Sequence, residues 1–304
     1  MSKSWNPVPC LVLGFTRVEN LESLIKDLIS QQTPRIYVSL DGPRNQIDRE
    51  LQNSIKSMIE QLQKKFDTEI FLCAREMNLG LRLAVIDGIS WFFEHETLGI
   101  ILEDDLVIHP LFQEYFARSL NSIDVQRLCT TVSGNQFIGA EDTSVIHFPL
   151  IWGWGTWREK WLEIRSEITE NSRYQLEWFK HPFLSAFVKA GLIRIEGKLL
   201  NSWALSFLAA SISKDWLHLI PPFPIVSNAG DDNSATHTTS VPLYAKPNLI
   251  YLERKLPLST TFRMNEALEE FLISRHYGVH FWHIFSPLKA HLEIFRRGKR
   301  MLMR

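Results

Sequence analysis

Cysteine is scarce in this 304-residue sequence: Cys10, Cys73 and Cys129 are the only three, and they are widely scattered. That excludes a disulfide framework, and no Cys/His spacing resembles a zinc site. Net charge is nearly absent, with 33 basic against 34 acidic side chains. Bulk electrostatics therefore select neither nucleic acid nor an acidic partner. No apolar run approaches the ~20 residues that a membrane-spanning helix needs. The opening stretch, MSKSWNPVPCLVLGF, has one lysine and no small-residue cleavage site, so no signal peptide is expected. Low-complexity segments and internal repeats are missing too. What remains is a globular composition, 45% hydrophobic and 22% charged, with a cytoplasmic setting expected from its few thiols.

The first half alternates two periodicities. PCLVLGF (Pro9 to Phe15), RIYVSLDG (Arg35 to Gly42), EIFLCARE (Glu69 to Glu76) and GIIL from Gly99 read as strands. Between them lie VENLESLIKDLIS, with Leu21, Leu24, Ile25, Leu28 and Ile29 at helical spacing, and the polar LQNSIKSMIEQLQKKF. LRLAVIDGISWFFEH follows, with Leu83, Ile86, Ile89 and Phe93 on one stripe. Pro110 suits the first turn of a further helix, PLFQEYFARSL. Four strands separated by helices predict a parallel sheet with right-handed crossovers, which binds ligands at the carboxyl ends of its strands.

Those ends are polar. The first strand runs into Gly14-Phe15-Thr16-Arg17 and the second into Asp41; Asn78 to Arg82 follow the third, and Glu103, Asp104 and Asp105 follow the fourth. Three adjacent acids repel one another, and each asks for water or a cation. A hard divalent ion, Mg²⁺ or Mn²⁺, takes one or two carboxylates and completes its shell with phosphate and water. A solvated turn ahead of a helix, whose dipole favours acids, is the plainer alternative. Asp41 in Asp-Gly-Pro could simply start a turn, and Arg17 and Arg82 could face solvent. LGFTRVEN lacks the Gly-rich phosphate loop expected of a sugar-phosphate nucleotidyltransferase, and the acids are not placed as in a receiver domain.

The LEDDLVIHPLFQEYF segment resembles the acidic metal motif and following helix of GT-A-fold glycosyltransferases. It is most similar to the N-acetylglucosaminyltransferases that start complex N-glycan branches and to bacterial hemolysin-like or family-2-like relatives. The resemblance runs from about Pro9 to Thr239. It implies a GT-A-like α/β mixed sheet with an N-terminal Rossmann-like nucleotide-binding half and helices on both faces. It implies Asp105 as the metal ligand for Mn²⁺ or Mg²⁺, with Glu103 and Asp104 near the ribose and metal-bound water. Arg17 and Asp41 correspond to residues that hold a uracil ring, so the donor expected is a UDP-sugar. Arg82 is a candidate for the diphosphate.

In the second half, Trp152, Trp154, Trp157 and Trp161 fall within ten residues. Thr156 and Glu159 have capping-box spacing, which predicts a helix from Trp157 with Trp157 and Trp161 on its core face. Trp152 and Trp154, in a loop punctuated by Gly153 and Gly155, are candidates for the apolar face of a glycan acceptor or donor sugar. The family's general base is an Asp beside a Trp in a stretch like KLLNSWALSF. Here Asn201 and Ser202 precede Trp203, and an amide is no base near neutral pH. Asp231 and Asp232, in SNAGDDNSATHT, are the substitutes. That loop resembles one that closes over the nucleotide, with His237 near the diphosphate.

From Lys289 onward six basic residues stand against the single acid Glu293, behind the aromatic YGVHFWHIF. This reads either as a solvated helix or as a basic amphipathic segment at the inner face of a membrane. The division expected is 1–130 for nucleotide-sugar binding, 131–245 for acceptor and catalysis, and 246–304 as a helical, basic extension. The function expected is an inverting, metal-dependent glycosyltransferase of surface-glycan synthesis; the alternative is a catalytically impaired nucleotide-sugar or glycan binding protein.

Overall fold

The computed structural model describes residues 5–169, 181–228 and 262–302. Asp231, Asp232 and His237 lie outside the described residues. The chain runs through β1 (Cys10–Gly14), α1 (Val18–Ser30), β2 (Ile36–Leu40), α2 (Gln46–Phe66), β3 (Ile70–Ala74), α3 (Leu81–His95) and β4 (Leu98–Glu103). It continues with β5 (Leu106–Ile108), α4 (Phe112–Leu120), α5 (Ile123–Leu128), β6 (Thr131–Ser133), β7 (Ser144–Ile146), β8 (Trp154–Trp157) and α6 (Arg158–Thr169). Then come α7 (Pro182–Glu196), α8 (Trp203–Ser213), β9 (His218–Ile220), β10 (Val226–Asn228), β11 (Arg263–Met264) and α9 (Glu266–Phe271). A π-helical turn (Leu272–His276), a 3₁₀ turn (Phe281–Phe285) and α10 (Ser286–Leu302) close it.

Among the described residues one sheet has the order β11-β7-β9-β6-β8-β4-β1-β2-β3. The half β4-β1-β2-β3 is all parallel, and β8 then enters antiparallel between β4 and β6. This is the expected GT-A-like mixed sheet with a Rossmann-like half. The inner strands β1, β2 and β4 are largely apolar, as strands covered on both faces are. A Cβ on Gly14 would point toward Leu21 of α1, whereas the preceding Leu13 meets Gly88 of α3. Successive strand residues face opposite ways, so α1 and α3 lie on opposite faces. Gln113 of α4 donates to the Val8 carbonyl and to Thr33 Oγ1 at 3.1 and 2.9 Å, which puts α4 on the α1 side.

Helix α1 has the expected limits because Leu21, Leu24, Ile25 and Leu28 form one buried stripe. Helix α2 begins earlier than its apolar spacing indicates, since the Asn45 side chain caps it by accepting from Asp48 N–H at 2.9 Å. On α3 the stripe is corrected. Leu83 is 56% exposed, and the buried row is Val85, Ile86, Ile89, Phe92 and Phe93. Pro110 precedes α4 rather than entering its first turn.

The chain forms two compact units. The first comprises residues 1–145, 150–161 and 218–264; the second comprises 146–149, 162–217 and 265–304. Each unit is assembled from separate stretches of chain.

Candidate functional site

The parallel half brings the carboxyl ends of β1 to β4 to one sheet edge, in the first unit. β4 ends at Glu103, and Asp104 and Asp105 form the turn into β5. β5 pairs antiparallel with β10, Leu106 opposite Asn228. The strand β5 separates the acids from the helix expected at Pro110, and α4 starts only at Phe112. Acids that far from its first turn gain nothing from the helix dipole.

The three carboxyls have different surroundings. Asp104, 6% exposed, receives Arg17 Nη1 at 2.8 Å on Oδ1 and the Phe15 N–H at 3.3 Å on Oδ2. Burial pushes its carboxyl up from the ordinary range, and Arg17 pulls the other way. Glu103 is pushed up to about 8, first by burial and then by Asp105 and Asp104, with Arg17 opposing. Asp105 reaches Arg17 Nη1 at 3.4 Å through Oδ2, but its Oδ1 is buried without a hydrogen-bond partner. A buried, unsatisfied carboxylate oxygen costs free energy unless something else supplies positive charge.

Arg17 therefore stands beside the acids, as a strand-end residue should. Asp41 does something else. Its Oδ1 accepts from the N–H groups of Gly42 and Leu79, both at 2.8 Å, and its Oδ2 from Gly80 N–H at 2.9 Å and Asn78 Nδ2 at 3.0 Å. Those four bonds use the roughly four lone-pair sites of a carboxylate. Asp41 is thus a staple for the β3–α3 loop and has no acceptor left over for a uracil N–H. A Cβ on Gly42 would sit 2.1 Å from the Met77 carbonyl carbon, so the two loops are pressed backbone to backbone.

Arg82 is half-buried in the first turn of α3. Trp154 lies in β8, 1% exposed and beside Trp161, so its ring offers no face to a sugar. The glycines around it serve packing: Gly153 is closed in by Val226, and Gly155 by Leu120 and Phe116. Trp152 is half-buried in the preceding loop, with its ring edge-on to Phe137 at 5.8 Å. Thr156 does not cap a helix; its hydroxyl donates to the Thr130 carbonyl at 2.8 Å, and Trp157 still belongs to β8. In the second unit, Asn201 is exposed, and Ser202 caps α8 by accepting from Leu205 N–H at 3.3 Å.

Sequence reasoning missed two residues at this edge. Gln52, buried on α2, donates to the Asp41 carbonyl at 2.7 Å and the Phe15 carbonyl at 3.4 Å, tying the first two strand ends together. Arg75 donates to Ser39 Oγ at 2.8 Å and pairs with Asp87 of α3. Neither has a local signature, since both act across long sequence separations. Among the described residues, no three His, Cys, Asp or Glu side chains gather as a metal cage. No described helix is long and apolar enough to cross a membrane.

No family model and no curated protein matches the chain, so the narrower resemblance to N-acetylglucosaminyltransferases finds no support there. Several solved structures are similar. A mannosyltransferase from Pyrobaculum calidifontis, solved with GDP-Man and Mn²⁺, is 11% identical over 69% of this chain and 77% of its own, with a TM-score of 0.41. The inositol-1-phosphate CTP transferase of T. maritima is 9% identical over 71% and 86%, TM-score 0.37. HddC of Yersinia pseudotuberculosis is 12% identical over 56% and 81%, TM-score 0.32. Likenesses this slight carry no argument about activity. The GT-A-like assignment stands on the strand order and directions of the chain itself.

Proposed function

We propose that the protein is a nucleotide-sugar-dependent glycosyltransferase that binds its donor at the carboxyl edge of β1 to β4. The observation that carries this is Asp105 Oδ1, buried and unpartnered at the end of β4 beside an Asp104 already held by Arg17. One or two carboxylate oxygens, too few for a protein-only cage, fit a hard cation that takes the rest of its shell from a diphosphate and water. Asp105 would hold Mn²⁺ or Mg²⁺, with Glu103 alongside, and the ion would offset the diphosphate's charge. Arg17 orients Asp104 and Asp105 and supplies positive charge at the strand end. A UDP-sugar is the donor proposed from the motif resemblance. Asp41 shapes the loop near it rather than reading the base. For the general base of an inverting transfer we propose Asp232, with His237 toward the diphosphate and Trp152 toward the glycan acceptor.

Calorimetric titration with UDP, GDP and CMP, each with and without Mn²⁺, tests the site. Metal-dependent binding of UDP, absent in Asp105→Asn, is the expected result. Failure of every nucleotide to bind under both conditions would remove the reading. Asn201 favours a second one, a binding protein without catalysis, because an amide stands where the family has its base. Sugar transfer by the wild type, lowered ~10²–10⁴-fold in Asp232→Asn with UDP affinity unchanged, decides against it.

A further inference from the structure

The second unit carries an apolar face that its own packing does not use. α10 and the 3₁₀ turn before it both pack on α7. The docked side is visible in Ala290, which is fully buried, and in Ile294, whose Cδ1 lies 2.4 Å from where a Cβ on Gly197 would be. The other side is exposed. Trp282, Phe285, Leu288 and Leu292 recur at helical spacing, Trp282 65% and Leu288 62% exposed, whereas Phe281 turns edge-on to Phe183 of α7 at 5.7 Å. Large apolar side chains are seldom left in water as a continuous row, and such a row marks an interaction surface.

Charge selects the partner. Lys289 is exposed on the same helix, and Arg296, Arg297, Lys299, Arg300 and Arg304 follow in the sequence. The one acid, Glu293, is neutralised by Arg194 of α7, with Nε to Oε2 at 2.8 Å and Nη2 to Oε1 at 3.2 Å. A second copy of this helix would bring like charges together, which a self-association surface avoids. An anionic lipid surface complements them, and Trp and Phe at the start of the row suit the headgroup boundary.

We infer that the exposed face formed by Trp282, Phe285, Leu288 and Leu292 is a peripheral docking surface for anionic membranes, lying in the interface plane without spanning it. The surface is independent of the chemistry at the strand ends. The test is co-sedimentation of the full chain with vesicles of phosphatidylcholine alone and of phosphatidylcholine with about a third phosphatidylglycerol. Binding is expected to the anionic vesicles only, weakening as salt rises. The combined variant Trp282→Ser, Phe285→Ser and Leu288→Ser should lower it about tenfold or more. Lys289→Glu with Arg296→Glu and Arg297→Glu should abolish it without touching the apolar row. Circular dichroism melts matching the wild type would show that both variants fold. Absence of binding to either vesicle would overturn the inference, as would equal recovery with both. So would a dimer in light scattering that the serine variant dissociates, since the face would then belong to a second copy.

Discussion

Asp104 and Asp105 are adjacent in sequence and opposite in circumstance, and that difference is open to measurement. Asp104 holds a charge-assisted pair with Arg17 at 2.8 Å and a backbone N–H in a buried position. Asp104→Asn keeps the shape but removes the nearer of Arg17's two carboxylate partners, and should cost about 1.5–3 kcal/mol in urea unfolding. Asp105→Asn gives up a looser Arg17 contact at 3.4 Å, but it removes a carboxylate whose Oδ1 has no hydrogen-bond partner and which repels Glu103. Its unfolding midpoint should stay level or rise while metal-dependent nucleotide binding disappears. Loss of stability in both variants to the same extent would mean that Asp105 is structural. Asp41 gives a third contrast. Four hydrogen bonds converge on it, so Asp41→Ala should destabilise the fold by about 2 kcal/mol. A residue that only read a base would cost nothing in the absence of nucleotide.

At the level of elements, what was legible followed periodicity and what was not depended on distant partners. The apolar stripe of Leu21, Leu24, Ile25 and Leu28 marks out α1, and the four parallel strands are short apolar runs between turns. β5 and β8 escaped notice for different reasons. Leu106 to Ile108 is too short for a period and becomes a strand only because Val226 to Asn228 pairs with it from over a hundred residues away. Trp152 to Gly155 looks like a glycine-punctuated loop leading to a helix at Trp157, yet Gly153 and Gly155 make room for Val226, Leu120 and Phe116. The acids announced themselves as a run. Their partner Arg17, 87 residues earlier, could be placed only by topology. The backbone donors on Asp41 had no signature at all, because any residue type supplies an N–H. Gly42 tests the same loop from the other side. A Cβ there meets the Met77 carbonyl carbon at 2.1 Å and the Asn78 nitrogen at 2.5 Å, and backbone cannot rotate away. Gly42→Ala should cost about 1–3 kcal/mol in denaturant unfolding and weaken nucleotide binding. Unchanged values would show that the two loops separate freely.

The second unit is stitched from stretches that lie far apart along the whole chain, and one histidine joins three of them. Both the Nδ1 and the backbone N–H of His147 meet Glu269 Oε1, at 2.9 and 2.7 Å, while Nε2 lies 3.1 Å from Asp215 Oδ1. A ring with a carboxylate at each nitrogen donates to both only as imidazolium. The bond to Glu269 raises its pKa, burial opposes, and the charges of Glu269 and Asp215 add to the rise. The neighbouring Lys214 is committed to Glu167 at 2.7 Å. Because the folded state binds this proton more tightly than the unfolded chain, its contribution is fully present below the ordinary imidazole value of 6.5. It is lost as pH rises from there through the raised folded value. Urea unfolding across that window should give a free energy that declines with pH in the wild type. In His147→Gln, whose amide does not titrate, the decline should shrink. Comparing the two cancels the other histidines, including His109 and His276, whose values burial moves downward. Parallel pH profiles would mean that His147 joins these segments as a neutral ring.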